Sequence, residues 1–175
     1  MLGTLGNNEN TVGKSLRVLR TFVNLSIRFG HMKNNPFQYV SIKKVEGKRD
    51  FLSIEELNKL TEYYKNNKFY KPIYKDILNY FLFACYTGLR YSDLKTFSKD
   101  SIVGEFIHLR MHKTGYLVNI PLSKKAKMFI PKTPFNSECV FRVYCNKVTN
   151  KILKNIGAEL GLNKRLTCHV ARHSV

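Results

Sequence analysis

The amino-terminal part of the chain shows a helical alternation of apolar and polar positions. Its apolar residues recur at intervals of three or four: Leu16, Leu19, Val23 and Ile27. This spacing places them on one face of a helix. Thr11 is a suitable residue to cap the start and Gly30 to end it, so the pattern predicts an amphipathic helix over residues 11–29.

A break in the pattern follows this helix. Asn34-Asn35-Pro36 interrupts it, and residues 37–50 form a basic connector without a clear period, which favours a domain boundary. Ser53 and Glu56 then have the spacing of a capping box and predict a helix through about residue 66.

A third helix is predicted from Pro72, which suits a first turn, to Gly88. This stretch is apolar nearly all round, as expected of a helix buried at the centre of a domain. Ser123 and Asn146 are suitable caps for two further helices, around 124–130 and 147–160, with Gly161 ending the second.

Two short alternating stretches, 105–111 and 116–120, predict strands. His112-Lys113-Thr114-Gly115 lies between them, and Gly115 allows a positive φ, so we expect an antiparallel hairpin that ends at Pro121. The complete pattern predicts an α+β fold, mostly α-helical with a small antiparallel β-sheet.

The charge balance points to a polyanionic partner. Thirty Lys and Arg against twelve Asp and Glu give a net charge of +18, and nucleic acid is the first candidate. A membrane partner is not favoured, because no apolar stretch approaches the roughly 20 residues that span a bilayer. The amino terminus lacks the apolar core of a signal peptide, so we expect a cytoplasmic protein.

The cysteines also favour a reducing compartment, because no two of them form a C-x-x-C pair. A zinc site built from Cys139, Cys145, Cys168 and a neighbouring histidine is conceivable. However, the spacing fits no common ligand pattern, and we expect no metal.

The segment Thr87-Gly88-Leu89-Arg90 is a candidate for phosphate binding. Arg90 follows the buried helix and a tight turn, and Ser92 and Asp93 are ready to start the next helix. A guanidinium at such a junction stays charged and offers phosphate oxygens a planar fork of donors. The alternative is an Arg90–Asp93 pair on a helix surface, which contributes little.

Two further motifs carry possible chemistry. His169 and Arg172 are three residues apart, so on a helix they project from one face and can both bond a single phosphate. Lys113, at the tip of the hairpin, can swing into a groove and act as a general acid. Each motif is weak alone, since most such residues are simply solvated. His173 is expected to be structural.

Taken in order, these motifs resemble those of the tyrosine recombinases, or phage-type integrases. TGLRYSDL is similar to the first arginine motif of the family, with Asp93 where many members carry Glu. HKTGYLVNIPL resembles its lysine hairpin, and HVARHS its H-x-x-R motif. TVGKSLRVLRTFVNLSIRFGHMKNNPF is similar to the last helix of its core-binding domain. The resemblance implies that residues 1–46 are the C-terminal part of a helical core-binding domain and a linker. Residues 47–175 would be a catalytic domain that is truncated after the H-x-x-R motif.

The resemblance also implies roles for individual residues. Arg90 and Arg172 would bind the non-bridging oxygens of the scissile phosphate and stabilise the pentavalent transition state. Lys113 would protonate the departing 5′ oxygen, His169 would support proton transfer and phosphate binding, and Asp93 would orient its neighbours. No cofactor or metal is implied, because fixed cationic side chains would stabilise the negative charge of the transition state.

The expected partner is double-stranded DNA, with contacts from the first helix at Thr11, Lys14, Arg17 and Arg20. The family needs a further His or Trp and a nucleophilic tyrosine after H-x-x-R, and we nominate no tyrosine of this chain. The chain is therefore expected to be an inactive, monomeric fragment of a recombinase that forms tetramers on DNA. The alternative is a non-catalytic basic DNA-binding module in which the helix over residues 11–29 binds DNA.

Overall fold

The computed structural model describes residues 8–46, 50–69, 71–172 and 174, so His173 lies outside the described residues. The chain divides into two compact units, one over residues 1–48 and the other over residues 49–175. Each unit is described separately. Within the described residues, no helix has the length and apolar character needed to cross a membrane.

The first unit is built on one long helix, α1 (Glu9–Arg28). Its cap is Asn8, whose side chain accepts the Thr11 N–H at 2.9 Å and the Thr11 hydroxyl at 3.2 Å. The prediction that Thr11 caps the helix is wrong, because Asn8 offers its carbonyl oxygen one turn earlier. The predicted stop is confirmed, since Gly30 has a φ of +77°.

The connector of the first unit lies along α1. Asn10 donates from its amide to the Val45 carbonyl at 2.7 Å and accepts the Val45 N–H at 3.1 Å. Gly13 is buried beneath the same segment, where a Cβ atom would lie 3.2 Å from the Lys43 carbonyl oxygen. A glycine at this position therefore allows the connector to approach the helix closely.

The second unit contains six helices within its described residues, together with a short 3-10 turn at Lys99–Ser101. The helices are α2 (Ile54–Asn66), α3 (Pro72–Thr87), α4 (Tyr91–Lys95), α5 (Lys124–Lys127), α6 (Asn146–Glu159) and α7 (Cys168–Ala171).

The capping box that opens α2 is confirmed. Ser53 N–H donates to Glu56 at 2.7 Å, and Glu56 N–H donates to the Ser53 hydroxyl at 3.3 Å. Lys164 adds a salt bridge of 2.7 Å to the same Glu56 carboxylate. The start of α2 is thereby tied to the loop before α7.

The predicted central helix α3 is confirmed and forms the middle of the core. Pro72 occupies its first turn, and Gly88 ends it in the left-handed conformation with a φ of +68°. Ile77, Leu78 and Phe81 each expose at most 1% of their surface to solvent. Burial on all sides explains why the sequence of this helix is apolar all round.

Three antiparallel strands form a small sheet with the order β1-β2-β3. They are β1 (Ile102–Val103), β2 (Phe106–Arg110) and β3 (Leu117–Pro121). The predicted hairpin is confirmed, with Gly115 at a φ of +71°, whereas β1 was not predicted. This sheet and the surrounding helices confirm the α+β fold class.

Two of the predicted helix starts have different outcomes. Ser123 caps α5 by accepting the Ala126 N–H at 3.1 Å, as predicted, although α5 ends earlier than expected. Asn146 is not a cap: Cys145 takes the cap position, and Asn146 is the first helical residue of α6. The Asn146 side chain instead accepts the Asn150 amide at 3.0 Å.

Candidate functional site

The structure brings the four residues with predicted catalytic roles to one cavity. Arg90, Lys113, His169 and Arg172 all line a cleft of about 490 Å³ in the second unit. The other residues that line it are Tyr91, Ser92, Asn146, Asn150, Thr167 and Cys168. No carboxylate is among these described lining residues, so the formal charge of the wall is positive.

Arg90 is held at the junction between α3 and α4. Gly88 turns the chain in the left-handed conformation, and Arg90 takes the cap position of α4. Its backbone N–H donates to Asp93 at 3.3 Å. Its guanidinium is half-buried and donates from Nη1 to the Met111 sulfur at 3.1 Å.

Asp93 joins this junction to the lysine hairpin. Its side chain is only 1% exposed, and its second oxygen accepts the His112 N–H at 2.9 Å. One buried carboxylate thus holds the backbone of both segments, the α3–α4 junction and the hairpin. The alternative of an Arg90–Asp93 pair on a helix surface is wrong, because Asp93 is buried and bonds backbone donors.

Lys113 extends from the tip of this hairpin. Below it, the turn is closed by the Gly115 N–H to the Met111 carbonyl at 2.8 Å and by the Met111 N–H to the Tyr116 carbonyl at 2.9 Å. The backbone is therefore fixed, while the Lys113 side chain is exposed. A long flexible side chain on a fixed turn can reach different points within the cleft.

The short helix α7 brings His169 and Arg172 to the cleft. Val170 and Ala171 are buried in the core and anchor the helix. The Cys168 N–H donates to Asn150 Oδ1 at 3.0 Å, which fixes the start of the helix. Within the described residues, Nη1 of Arg172 is buried and has no hydrogen-bond partner. A buried guanidinium nitrogen without a partner is costly.

Two titratable groups of the cleft, Cys168 and Tyr91, are neutral. Burial raises the pKa of the Cys168 thiol to about 12, and a backbone hydrogen bond only partly opposes this rise. Burial is also the main cause of a raised pKa at Tyr91, whose hydroxyl donates to the Tyr144 carbonyl at 2.5 Å. Because both groups stay uncharged at neutral pH, neither cancels the positive charge of the cleft.

Sequence reasoning missed the polar residues that support the site. Asn150 and Asn146 lie one turn apart on α6, and together with Thr167 they line the cleft. An i, i+4 pair of asparagines matches no motif of a reactive group. The contribution of these two asparagines to the cleft becomes evident only from the packing of α6 beside α7.

The predicted DNA-binding residues of the first unit differ in their surroundings. Thr11, Lys14 and Arg17 are exposed along α1. Arg20 is half-buried, donates to the Val40 carbonyl at 2.8 Å and lies over the Phe37 ring at 5.5 Å. Arg20 therefore takes part in the packing of its own unit, and the role of all four in DNA binding stays a prediction.

A zinc site is not formed by the cysteines in the described part of the chain. All four cysteines are free, and the described residues contain no group of three or more His, Cys, Asp or Glu side chains that could hold a metal ion.

Solved structures of recombinases share this fold. Lambda integrase (residues 75–356) bound to DNA superposes with a TM-score of 0.67 at 19% identity, covering 91% of this chain and 62% of that one. The Tn1549 transposon integrase (residues 82–397) in complex with circular intermediate DNA gives 0.68 at 16% identity, with 99% and 67% covered. The XerA recombinase gives 0.55 at 14% identity, with 98% and 70% covered.

The chain spans about half to two thirds of the length of the lambda integrase chains, from 49% to 62%. No curated protein sequence matched it. The sequence model of the phage integrase family matches residues 50–175, which is nearly the whole second unit. The chain therefore belongs to the phage integrase family, the tyrosine recombinases.

Proposed function

We propose that this chain is the phosphate-binding part of a site-specific DNA recombinase. The whole protein would cleave and rejoin double-stranded DNA through a 3′-phosphotyrosine intermediate. One observation carries the proposal: two arginines, a lysine and a histidine line a single cleft, and none of its described lining residues carries a carboxylate.

The two arginines are the proposed phosphate ligands. A guanidinium binds phosphate with a planar pair of donors and keeps its charge at any physiological pH. Arg90 is fixed by its place between α3 and α4, and Arg172 by the buried residues of α7. Held at fixed positions, both would stabilise the negative charge that develops on the non-bridging oxygens.

Proton transfer is proposed for the other two side chains. Lys113 would protonate the departing 5′ oxygen, because its exposed side chain can follow the substrate while its turn stays fixed. His169 would support this transfer and bind the phosphate, since it lines the same cleft. Asp93 would act indirectly by holding the Arg90 and His112 backbone.

Double-stranded DNA is the proposed partner, supported by the net charge of +18. The related lambda integrase has been seen as a tetramer bound to a Holliday junction. We propose the same kind of assembly for the whole recombinase, a monomer for this chain alone, and a cytoplasmic location. On α1, Thr11, Lys14 and Arg17 are the exposed candidates for backbone contacts, with Arg20 beside them.

We propose neither Tyr91 nor Tyr144 as the nucleophile. Tyr91 lines the cleft, but its hydroxyl donates to the Tyr144 carbonyl at 2.5 Å. Tyr144 in turn donates to Asp76 at 3.0 Å. Because both hydroxyls already donate within the chain, neither of these two tyrosines is proposed for this role.

Substituting each cleft arginine tests the proposal. Arg90→Ala and Arg172→Ala should each weaken binding to a fluorescein-labelled DNA duplex by about 1.5–3 kcal/mol, the usual contribution of a charged hydrogen bond. Fluorescence anisotropy measures the affinity, and circular dichroism checks that the helices remain. Arg142→Ala is the matched control, because this exposed arginine lies over the Phe135 and Tyr144 rings and does not line the cleft.

The three variants remove the same charge, so a general electrostatic effect would weaken them equally. Losses confined to Arg90 and Arg172 would support a phosphate in the cleft. Equal losses in all three, or none in the cleft variants, would favour the alternative of a binding module that uses α1.

A further inference from the structure

Met111 contacts the Arg90 guanidinium from the base of the lysine hairpin. Ile107 and Leu109 occupy alternate positions of β2, and Met111 continues this alternation just beyond the strand. Side chains at alternate positions of a strand point to the same side. Arg90 Nη1 donates to the Met111 sulfur at 3.1 Å.

The backbone of Met111 is held on both sides. Its N–H donates to the Tyr116 carbonyl at 2.9 Å, and its carbonyl accepts the Gly115 N–H at 2.8 Å. The next residue donates its N–H to Asp93 at 2.9 Å. These bonds fix the Met111 backbone beside the Arg90 guanidinium.

A thioether suits this position for a chemical reason. Its sulfur is a weak acceptor, so it holds one guanidinium N–H without neutralising the positive charge. The remaining guanidinium donors stay available to a phosphate. A carboxylate in the same place would form an ion pair with Arg90 and compete with the phosphate directly.

We propose that Met111 is a positioning residue that sets the Arg90 guanidinium in the cleft and couples it to the Lys113 hairpin. This inference rests on the proposed function, because it concerns how Arg90 meets a phosphate. Movement of the hairpin would then shift the lysine and the arginine together.

A double-mutant cycle tests the inference, with a fluorescein-labelled DNA duplex of random sequence as the probe. Met111→Ala should weaken binding roughly three- to tenfold, as expected for one hydrogen bond or packing contact. The same substitution should cause no further loss in an Arg90→Ala background, because no guanidinium is then left to position. A merely structural role, or a direct contact of Met111 with DNA, would persist in that background.

Two more variants complete the test. Met111→Gln has similar length and restores an acceptor, so it should bind the duplex within about twofold of the unmodified chain. Met128→Ala is the matched control, because Met128 is a 51% exposed methionine of the same unit that does not line the cleft. It should leave the affinity unchanged.

The outcomes separate this inference from the proposed function. If Arg90→Ala itself leaves the affinity unchanged, the phosphate cleft is wrong and the inference fails with it. If Arg90→Ala weakens binding but Met111→Ala does not, only the role of Met111 is overturned. The same holds if the Met111→Ala loss persists in the Arg90→Ala background or if Met111→Gln fails to restore binding.

Discussion

Individual side chains in the cleft differ sharply in charge, and this difference sets what the cleft can bind. Arg90, Lys113 and Arg172 provide positive charge, whereas Cys168 and Tyr91 have raised pKa values caused mainly by burial. A thiolate beside His169 would repel a phosphate. A thiol that stays protonated therefore preserves the attraction between the cationic cleft and a phosphate.

The protonation state of Cys168 gives a direct prediction. Because burial raises its pKa to about 12, the thiolate is scarce at pH 8, and iodoacetamide should alkylate Cys168 at least roughly tenfold more slowly than the exposed Cys145. The Cys168 rate should keep rising as the pH is raised above 8. Peptide mass spectrometry after timed labelling measures both rates in one sample. Equal rates at pH 8 would contradict the buried neutral thiol.

Short segments depend on single buried groups for their placement, and Asp93 is the clearest example. Its carboxylate accepts backbone N–H groups from Arg90 and from His112, so it joins α4 to the hairpin between β2 and β3. An acceptor that bonds two elements at once fixes the distance between them, which the local sequence of either element does not specify.

Removing this acceptor should loosen the hairpin. Asp93→Ala leaves two backbone donors without partners, and we expect the second unit to lose about 2–4 kcal/mol of unfolding free energy. Urea denaturation measures that loss, and hydrogen exchange should show faster exchange at the His112 amide. Asp100→Ala, at an exposed aspartate of the 3-10 turn, should have little effect. Equal stability of the two variants would refute the anchoring role.

Local chemistry explains which elements could be predicted from sequence. The Ser53–Glu56 capping box, Pro72 in a first turn and Gly88 at a helix end each need only neighbouring residues, and each was confirmed. Thr11 failed as a cap because Asn8 is another good capping residue one turn earlier, and sequence alone did not rank the two. The strand β1 has two residues, too few for a period to be seen.

Tertiary contacts explain what sequence could not predict in the site. The order of the motifs indicated that Arg90, Lys113, His169 and Arg172 share a site, and all four line one cleft. The supports of that cleft, such as Asn150 on the start of α7, come from residues far apart in sequence that carry no motif.

The chain as a whole carries a charge of +18, and both proposed ways of binding DNA depend on it. Salt would weaken either one by counterion release, so salt dependence does not separate a cleft that binds a phosphate from a basic helix that binds the DNA backbone. The distinction requires signals from individual arginines.

The most direct measurement is an NMR titration that follows the arginine Nε–Hε signals while a DNA duplex is added. The proposed function predicts that the signals of Arg90 and Arg172 shift on binding, because a phosphate meets both guanidinium groups, while that of Arg142 stays nearly unchanged. Shifts at Arg17 of α1 with Arg90 and Arg172 unmoved would contradict the phosphate cleft and identify the chain as a binding module.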